Sequence, residues 1–221
     1  MLTANLLSPK EAYIGGMMFF AVASALGLVL VYFRGWPILA MGAAGLLGAY
    51  FYCANPVGYK YFGLGDFAVF LFFGTGMSIG TYYALTGDFS WQVLWISLPL
   101  GALIAAILSA NNVRDTKHDT EAGVHTLESA LGIKGGIAVY SFWVLGAYAS
   151  VIVMAVLHIV PWWALAVFLS LPIALKNLKT ISQGDREHPE KVAGVDVATA
   201  QLHTAFGALL TIALVVGRFV H

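Results

Sequence analysis

Seven apolar stretches of this chain approach or exceed the length that a helix needs to cross a lipid bilayer, and this pattern limits the fold more than any other feature. A helix needs about 20 apolar residues to span ~30 Å of hydrocarbon. The stretches lack the period-two alternation of barrel strands, which favours helices. We therefore predict one all-α domain over residues 1–221, a multi-pass transmembrane helical bundle with spans at residues 12–33, 36–54, 67–85, 91–110, 136–160, 162–175 and 197–220.

The composition agrees with a membrane protein. Hydrophobic residues make up 60% of the chain and charged residues only 10%, against roughly 25% charged residues in soluble domains. The formal charge is zero and no basic tail is present, so nothing supports binding to nucleic acid. The single cysteine, Cys53, lies inside an apolar stretch, so it can form no disulfide within the chain and is interpreted as a packing residue.

The charged residues predict the orientation of the bundle. Nine of the eleven Lys and Arg residues fall in segments that share one side, and only Arg34 and Arg218 lie on the other. The positive-inside rule places the basic side in the cytoplasm, as in a bacterial-type cytoplasmic (inner) membrane. All acidic residues except Asp88 fall on this side too. The positive-inside rule concerns only Lys and Arg and does not require acidic residues on the same side. We therefore expect the functional site and its loops on the cytoplasmic side.

A polar motif follows the fourth apolar stretch directly. It reads N-N-x-x-D-x-x-x-D and contains Asn111, Asn112, Asp115 and Asp119. If the fourth helix continues through it, these side chains lie within about 100° of one another around the helix. Two carboxylates and two amides on one face suit Mg²⁺, which takes one or two protein carboxylates together with water and substrate phosphate. The motif therefore predicts a magnesium site.

Two basic residues flank these acids. Arg114 and Lys117 can hold phosphate oxygens that the metal leaves uncovered. The alternative is a solvated loop whose charges only fix the topology. The convergence of several polar groups at the membrane edge favours a functional site, because such groups cost free energy there unless they are paired or useful.

Longer strings around the motif resemble a known family. The string NNVRDTKHDTEAGVHTLESALG (residues 111–132) and the connector GYKYFGLGD (residues 58–66), with Gly80-Thr81-Tyr82-Tyr83 after it, are similar to the menaquinone branch of the UbiA superfamily of intramembrane prenyltransferases. The resemblance covers essentially the whole chain. It implies transfer of a polyprenyl group from its diphosphate to an aromatic quinone precursor such as 1,4-dihydroxy-2-naphthoate, with Mg²⁺ assisting the loss of diphosphate.

The resemblance also implies roles for individual residues. Asp115 and Asp119 would be catalytic metal ligands assisted by Asn111 or Asn112, and the diphosphate would be held by Lys60, Arg114 and Lys117. Asp66, on the same side, would orient or deprotonate the aromatic acceptor. Its other interpretation is an acid at a helix N-terminus, where the helix dipole favours negative charge.

The chain departs from the family pattern at two places. Family members resemble nine-helix bundles with a first aspartate motif of the form N-D-x-x-D, and Met1-Leu2-Thr3 aligns just after that motif. We therefore expect an N-terminally shortened member, for which a partner chain could supply the first motif. The lysine often found after the second motif's glycine is here Val124.

Other functions remain as alternatives. One is a catalytically incomplete membrane fragment that binds isoprenoid or quinone lipids. Another is a small transporter, although the interrupted helix pair and inverted repeat typical of that class are not visible. A zinc site at His118, Asp119 and His125 matches no known ligand spacing. The glycines around Thr75 follow no strand, so they indicate helix packing rather than a phosphate loop.

Overall fold

The computed structural model of the chain describes residues 8–54 and 56–219. The predicted alignment at Met1-Leu2-Thr3 and the predicted end of the last span at Val220 lie outside these residues. Within the described part, seven helices are long and apolar enough to cross a membrane, which confirms the predicted all-α multi-pass bundle. They are α1 (Pro9–Arg34), α2 (Trp36–Cys53), α3 (Gly65–Thr86), α4 (Trp91–Glu121), α5 (Leu127–Val156), α6 (Trp162–Ile181) and α7 (Val195–Phe219).

Side-chain caps decide where two of these helices begin. At α1, Ser8 Oγ accepts from the Glu11 amide at 3.2 Å, and a Glu11 carboxylate oxygen accepts from the Ser8 amide at 2.8 Å. Thr126 and Ser129 form the same reciprocal arrangement at α5, with distances of 3.1 and 2.9 Å. Such caps satisfy amides that have no partner inside the helix. Helix α5 therefore starts at Leu127, well before the predicted residue 136.

Helix α5 is interrupted near its start by Gly132. This residue has φ 71° and ψ 174°, a conformation that a side chain would strain. The first turn of α5, which carries Glu128, is thereby turned relative to the long apolar part that follows. The predicted span at 136–160 corresponds to this second part.

The core of the protein lies among α4, α5, α6 and α7. Helix α4 is the central element, because it packs extensively against both α5 and α7 and also against α3. Leu103 and Val113 from α4, Tyr140 from α5 and Phe206 from α7 are all almost completely buried. Helix α1 contributes no buried residue, so α1 and α2 form the periphery of the bundle.

The crossing of α3 and α4 depends on two glycines. A Cβ atom placed on Gly74 would lie 2.3 Å from the Gly101 Cα. Gly74 belongs to the segment Phe70–Gly76, where α3 widens into a π-helical turn. The glycine run around Thr75 is therefore a packing element, as its sequence context predicts.

The polar segments of the chain meet at one end of the bundle, called here the motif end. A short 3₁₀ turn, Tyr59–Phe62, joins α2 to α3, and Gly63 beside it lies against the backbone of Leu127 at the start of α5. A second turn, Pro189–Val192, precedes α7 and packs against α4. The distribution of charged residues predicted that these segments share one side of the membrane. The connection between the predicted spans at 162–175 and 197–220 is shorter than expected, because α6 continues as helix to Ile181.

Candidate functional site

Helix α4 carries the predicted motif beyond the membrane-spanning part of the bundle. Its 31 residues correspond to about 46 Å of helix at 1.5 Å per residue, whereas the hydrocarbon is ~30 Å thick. The helix continues through the whole motif to Glu121. The motif residues thus lie on a regular helix, which fixes their relative directions.

Arg114 is the centre of a hydrogen-bonded cluster at the motif end. Its Nε lies 2.8 Å from Asp115 Oδ1, and its Nη2 lies 3.1 Å from Asp115 Oδ2. Nη1 contacts Asp196 Oδ2 at 2.7 Å, and Nη2 also donates to Asn111 Oδ1. Because Asp196 lies in the first turn of α7, the guanidinium joins α7 to the motif on α4.

Asn112 faces in a different direction from Asn111 and joins a second cluster. Its Nδ2 donates to Glu128 Oε2 at 3.0 Å and lies 3.4 Å from Asp66 Oδ1. Trp143 Nε1, from α5, lies 3.4 Å from Asp66 Oδ2. Asp66 is 1% exposed and Glu128 is 0% exposed, so both carboxyl groups are shielded from water. This buried cluster ties the first turns of α3 and α5 to α4.

Asp119 lies one turn beyond Asp115 and has charges of both signs nearby. The Asp115 carboxylate and the Lys60 ammonium group both act on it electrostatically. Lys60 is positioned by the connector: its Nζ lies 5.9 Å from the centre of the Tyr52 ring. The neighbouring Tyr59 Oη donates to the Gly48 carbonyl at 2.5 Å and holds the connector on α2.

Lys117 points away from the two aspartates of the motif. Its Nζ lies 2.6 Å from Glu187 Oε2, in the loop between α6 and α7. This hydrogen bond lowers the pKa of the exposed Glu187 carboxyl below its usual range. Lys117 therefore attaches the loop to α4 rather than lining the same face as Asp115.

A mostly apolar cavity of about 370 Å³ ends at the Arg114 cluster. Its walls come from α3 and α4, including Phe73, Ile104 and Ile107, and its polar end is formed by Asn111 and Asp196. Ligand pockets of roughly this size are usually apolar with a few convergent polar groups. The cavity places an open apolar surface directly beside the polar motif.

The structure thus divides the predicted site residues among three groups. Asn111, Arg114 and Asp115 are joined by direct hydrogen bonds, and Asp119 and Lys60 lie near them. Asn112 and Asp66 belong to the buried cluster, and Lys117 belongs to the loop contact.

Sequence reasoning missed Glu128, Asp196 and Trp143 as members of these groups. Glu128 and Asp196 each lie in the first turn of a helix, where an acid is common for reasons of helix stability. The one available indication was the concentration of acidic residues on a single side of the membrane.

Fold and site together define an integral membrane protein whose polar residues gather at one end of a helical bundle. The chain belongs to the UbiA prenyltransferase family, because the family's sequence model matches residues 1–205. This finding confirms the resemblance and, through the relatives described next, its menaquinone branch.

The chain is similar to several curated proteins. It is 27% identical over 213 residues to the 1,4-dihydroxy-2-naphthoate octaprenyltransferase of Bacillus subtilis (strain 168), a match that covers 96% of this chain and 68% of the relative. It is 36% identical over 172 residues to UbiA prenyltransferase domain-containing protein 1 of Dictyostelium discoideum, covering 78% and 50%. A third relative is the 2-carboxy-1,4-naphthoquinone phytyltransferase of Synechocystis sp. (strain ATCC 27184 / PCC 6803 / Kazusa), 28% identical over 194 residues, covering 87% and 63%.

The chain spans between half and about two thirds of the length of these relatives. The comparisons give no support to the expectation that a partner chain supplies a first aspartate motif.

Proposed function

We propose that the protein transfers a polyprenyl group from its diphosphate to an aromatic acceptor of the 1,4-dihydroxy-2-naphthoate type, in menaquinone synthesis. The observation that carries this proposal is the contact between an apolar cavity and a polar cluster. The cavity between α3 and α4 can take an isoprenoid chain, and Asn111 at its end belongs to the cluster of Arg114 and Asp115. The relatives named as naphthoate prenyltransferases support the choice of substrates.

The residues of the motif fit a magnesium ion that is bound together with substrate. Within residues 8–54 and 56–219, no three His, Cys, Asp or Glu side chains are grouped so that they could hold a metal alone. Mg²⁺ rarely uses such a set; it is usually held by one or two carboxylates, waters and substrate phosphates. Asp115 and Asp119, one helical turn apart and with Asn111 beside Asp115, would supply the protein ligands. When bound, the ion would stabilise the charge of the departing diphosphate.

The basic residues around the motif would bind the diphosphate directly. Arg114 spans Asp115, Asp196 and Asn111 with donors that form a planar fork, and this geometry also matches phosphate oxygens. Lys60 lies near enough to Asp119 to act on it electrostatically. Together these cations would hold the leaving group while its bond to the allylic carbon breaks, which favours the developing carbocation electrostatically.

Asp66 has a supporting role in this proposal. Asp66 is 1% exposed and engaged by Asn112 and Trp143, so its carboxyl group is enclosed by protein. We assign it to holding Asn112 and hence the direction of the motif. The proposal places the motif end on the cytoplasmic side of the membrane, on the grounds of the basic residues gathered there.

The proposal is tested by a transfer assay on the purified full chain in detergent. Farnesyl diphosphate and 1,4-dihydroxy-2-naphthoate are supplied with MgCl₂ or with EDTA, and the prenylated product is measured. We expect product only with Mg²⁺, and at least about a 100-fold loss in Asp119→Asn, since even residues that merely orient metal ligands are worth 10–100-fold. Glu121→Gln, two residues further along α4, is the matched control and should retain activity. No product from the wild-type chain, or equal loss in both variants, would contradict the proposal.

A further inference from the structure

A second cavity opens at the motif end, apart from the aspartate motif. Its volume is about 580 Å³, and it lies between the kinked start of α5 and the loop that follows α6. The α5 side contributes Leu131 and Lys134, and the loop side contributes Asp185, Arg186 and Lys191. None of the motif residues on α4 lines this cavity, so it is a site distinct from the one described above.

The lining of this cavity has a surplus of positive charge. Lys191 Nζ lies 3.0 Å from Asp185 Oδ2, and this contact lowers the pKa of the Asp185 carboxyl, so that the pair is neutral overall. Lys134 and Arg186 have no carboxylate within ion-pair distance anywhere in residues 8–54 and 56–219. Two exposed cations therefore line the cavity without being held in an ion pair by a described residue.

The position of the loop is fixed by neighbouring contacts. Glu187 is bound to Lys117 on α4, and the adjacent Asp185 is bound to Lys191. Arg186, between the two acids, lines the cavity. The loop therefore presents Arg186 towards the space that Lys134 borders.

The cavity also borders the apolar surface of the bundle. Leu131, one of its lining residues, is 55% exposed. Lys134 lies just beyond the Gly132 kink, where the long apolar part of α5 begins. A ligand in the cavity would thus meet cations on one side and the start of the apolar part of α5 on the other.

We propose that this cavity binds the phosphate headgroup of an anionic membrane lipid, with Lys134 and Arg186 as the residues that hold the phosphate. Basic pockets between transmembrane helices on the cytoplasmic side bind such headgroups. An inorganic phosphate would pair with the two cations equally well, but it would make no apolar contact with the exposed Leu131. The apolar rim therefore favours the lipid as the source of the phosphate.

The test compares two variants that remove the same charge from the same end of the bundle. The first is Lys134→Gln with Arg186→Gln. The control is Lys176→Gln with Lys179→Gln, two exposed residues of α6 that do not line the cavity. The purified full chains are placed in nanodiscs or titrated with phosphatidylglycerol, phosphatidylcholine or inorganic phosphate, and lipid retention is measured by native mass spectrometry.

We expect phosphatidylglycerol to be retained by the wild type and by the control variant, in preference to phosphatidylcholine. The Lys134/Arg186 variant should bind it about tenfold more weakly, because each basic residue near the membrane contributes to the attraction. An equal loss in both variants would show only general surface attraction and would overturn the proposal. Competition by inorganic phosphate at the same concentration as lipid would overturn the assignment to a lipid.

Discussion

Glu128 and Asp66 show how a single amide can hold two carboxyl groups inside a protein. Both acids contact the Nδ2 atom of Asn112, and no Lys or Arg of the described residues forms an ion pair with either of them. Glu128 Oε1 has no hydrogen-bond partner among the described residues. Burial of acidic groups without a cation costs free energy, so stability alone would not favour this cluster. We interpret it as a structural constraint that holds Asn112 in place.

Replacement of Glu128 separates its hydrogen bond from its charge. Glu128→Gln keeps an acceptor for Asn112 and removes the like-charge interaction with Asp66, so we expect an equal or higher melting temperature. Glu128→Ala removes the acceptor and leaves a cavity, which should lower the free energy of unfolding by about 1–3 kcal/mol. The measurement is thermal unfolding of both variants in detergent. A Gln variant that melts as low as the Ala variant would show that the charge itself is required.

For individual residues, the sequence predicted which residues form the site better than it predicted which residues they contact. Asn111, Arg114 and Asp115 lie close together in the predicted motif and indeed meet. Asn112 is adjacent to them, yet it faces Glu128 and Asp66. The partners come from other helices, and no pattern within one helix indicates which face a distant helix covers.

Helices α3 and α4 depend on a close approach of their backbones. Gly74→Ala would place a methyl group against the Gly101 backbone, which cannot move as a flexible side chain would. We expect a loss of about 1–3 kcal/mol or more in the free energy of unfolding.

Gly80→Ala, in the same helix, is the control for this substitution. Its Cβ would be 4.0 Å from the Met41 sulfur, and alanine favours the helix over glycine. This variant should be neutral or stabilising in the same thermal unfolding experiment. Equal effects of the two substitutions would contradict the proposed role of the glycine contact.

The loop between α6 and α7 should loosen from α4 at acid pH. Its Glu187 has a pKa below the ordinary 4.5 because Lys117 donates to it. A lowered pKa in the folded state means that the contact contributes fully above the ordinary value and is lost as pH falls below it. Amide hydrogen exchange over residues 182–188, corrected for intrinsic rates, should therefore rise between pH 6 and pH 4.

Glu187→Gln provides the matched comparison for this prediction. The variant should show the faster exchange already at pH 6, with little further change at pH 4. Glu121→Gln, which removes an acid from α4 outside the loop contact, should behave as the wild type. Exchange that rises equally in all three proteins would show that the Lys117 contact does not hold the loop.

Hydropathy predicted the helices well, because the length of an apolar segment must match the thickness of the membrane. It could not predict that α4 extends to Glu121 or that α5 begins at Leu127. Those ends are set by residues outside the hydrocarbon: Thr126 caps the start of α5, and Gly123, with φ 68°, follows the end of α4. The cap pattern at Thr126 and Ser129 was present in the sequence and would have identified the earlier start.

The described part of the molecule consists of a packed group, α4 to α7, with α3 packed against α4, and a peripheral pair, α1 and α2. The seven spans and the side shared by their polar segments followed from apolar length and charge, which are properties of the membrane as a solvent. The packing order did not follow from sequence, because all seven helices are apolar on most faces. What distinguishes α4 is that its small residues, such as Gly101 and Ala105, are buried against neighbouring helices.

We propose that Asp115 and Asp119 bind diphosphate through Mg²⁺, next to Arg114. This binding is tested by measuring the affinity of farnesyl diphosphate for the purified full chain and for Asp115→Asn, with and without Mg²⁺, by isothermal titration calorimetry. With Mg²⁺, the variant should bind at least about tenfold more weakly, which is 1.4 kcal/mol. Without Mg²⁺ it should bind as well as the wild type or better, since Arg114 is released from Asp115. Equal affinity of both proteins in the presence of Mg²⁺ would contradict the account.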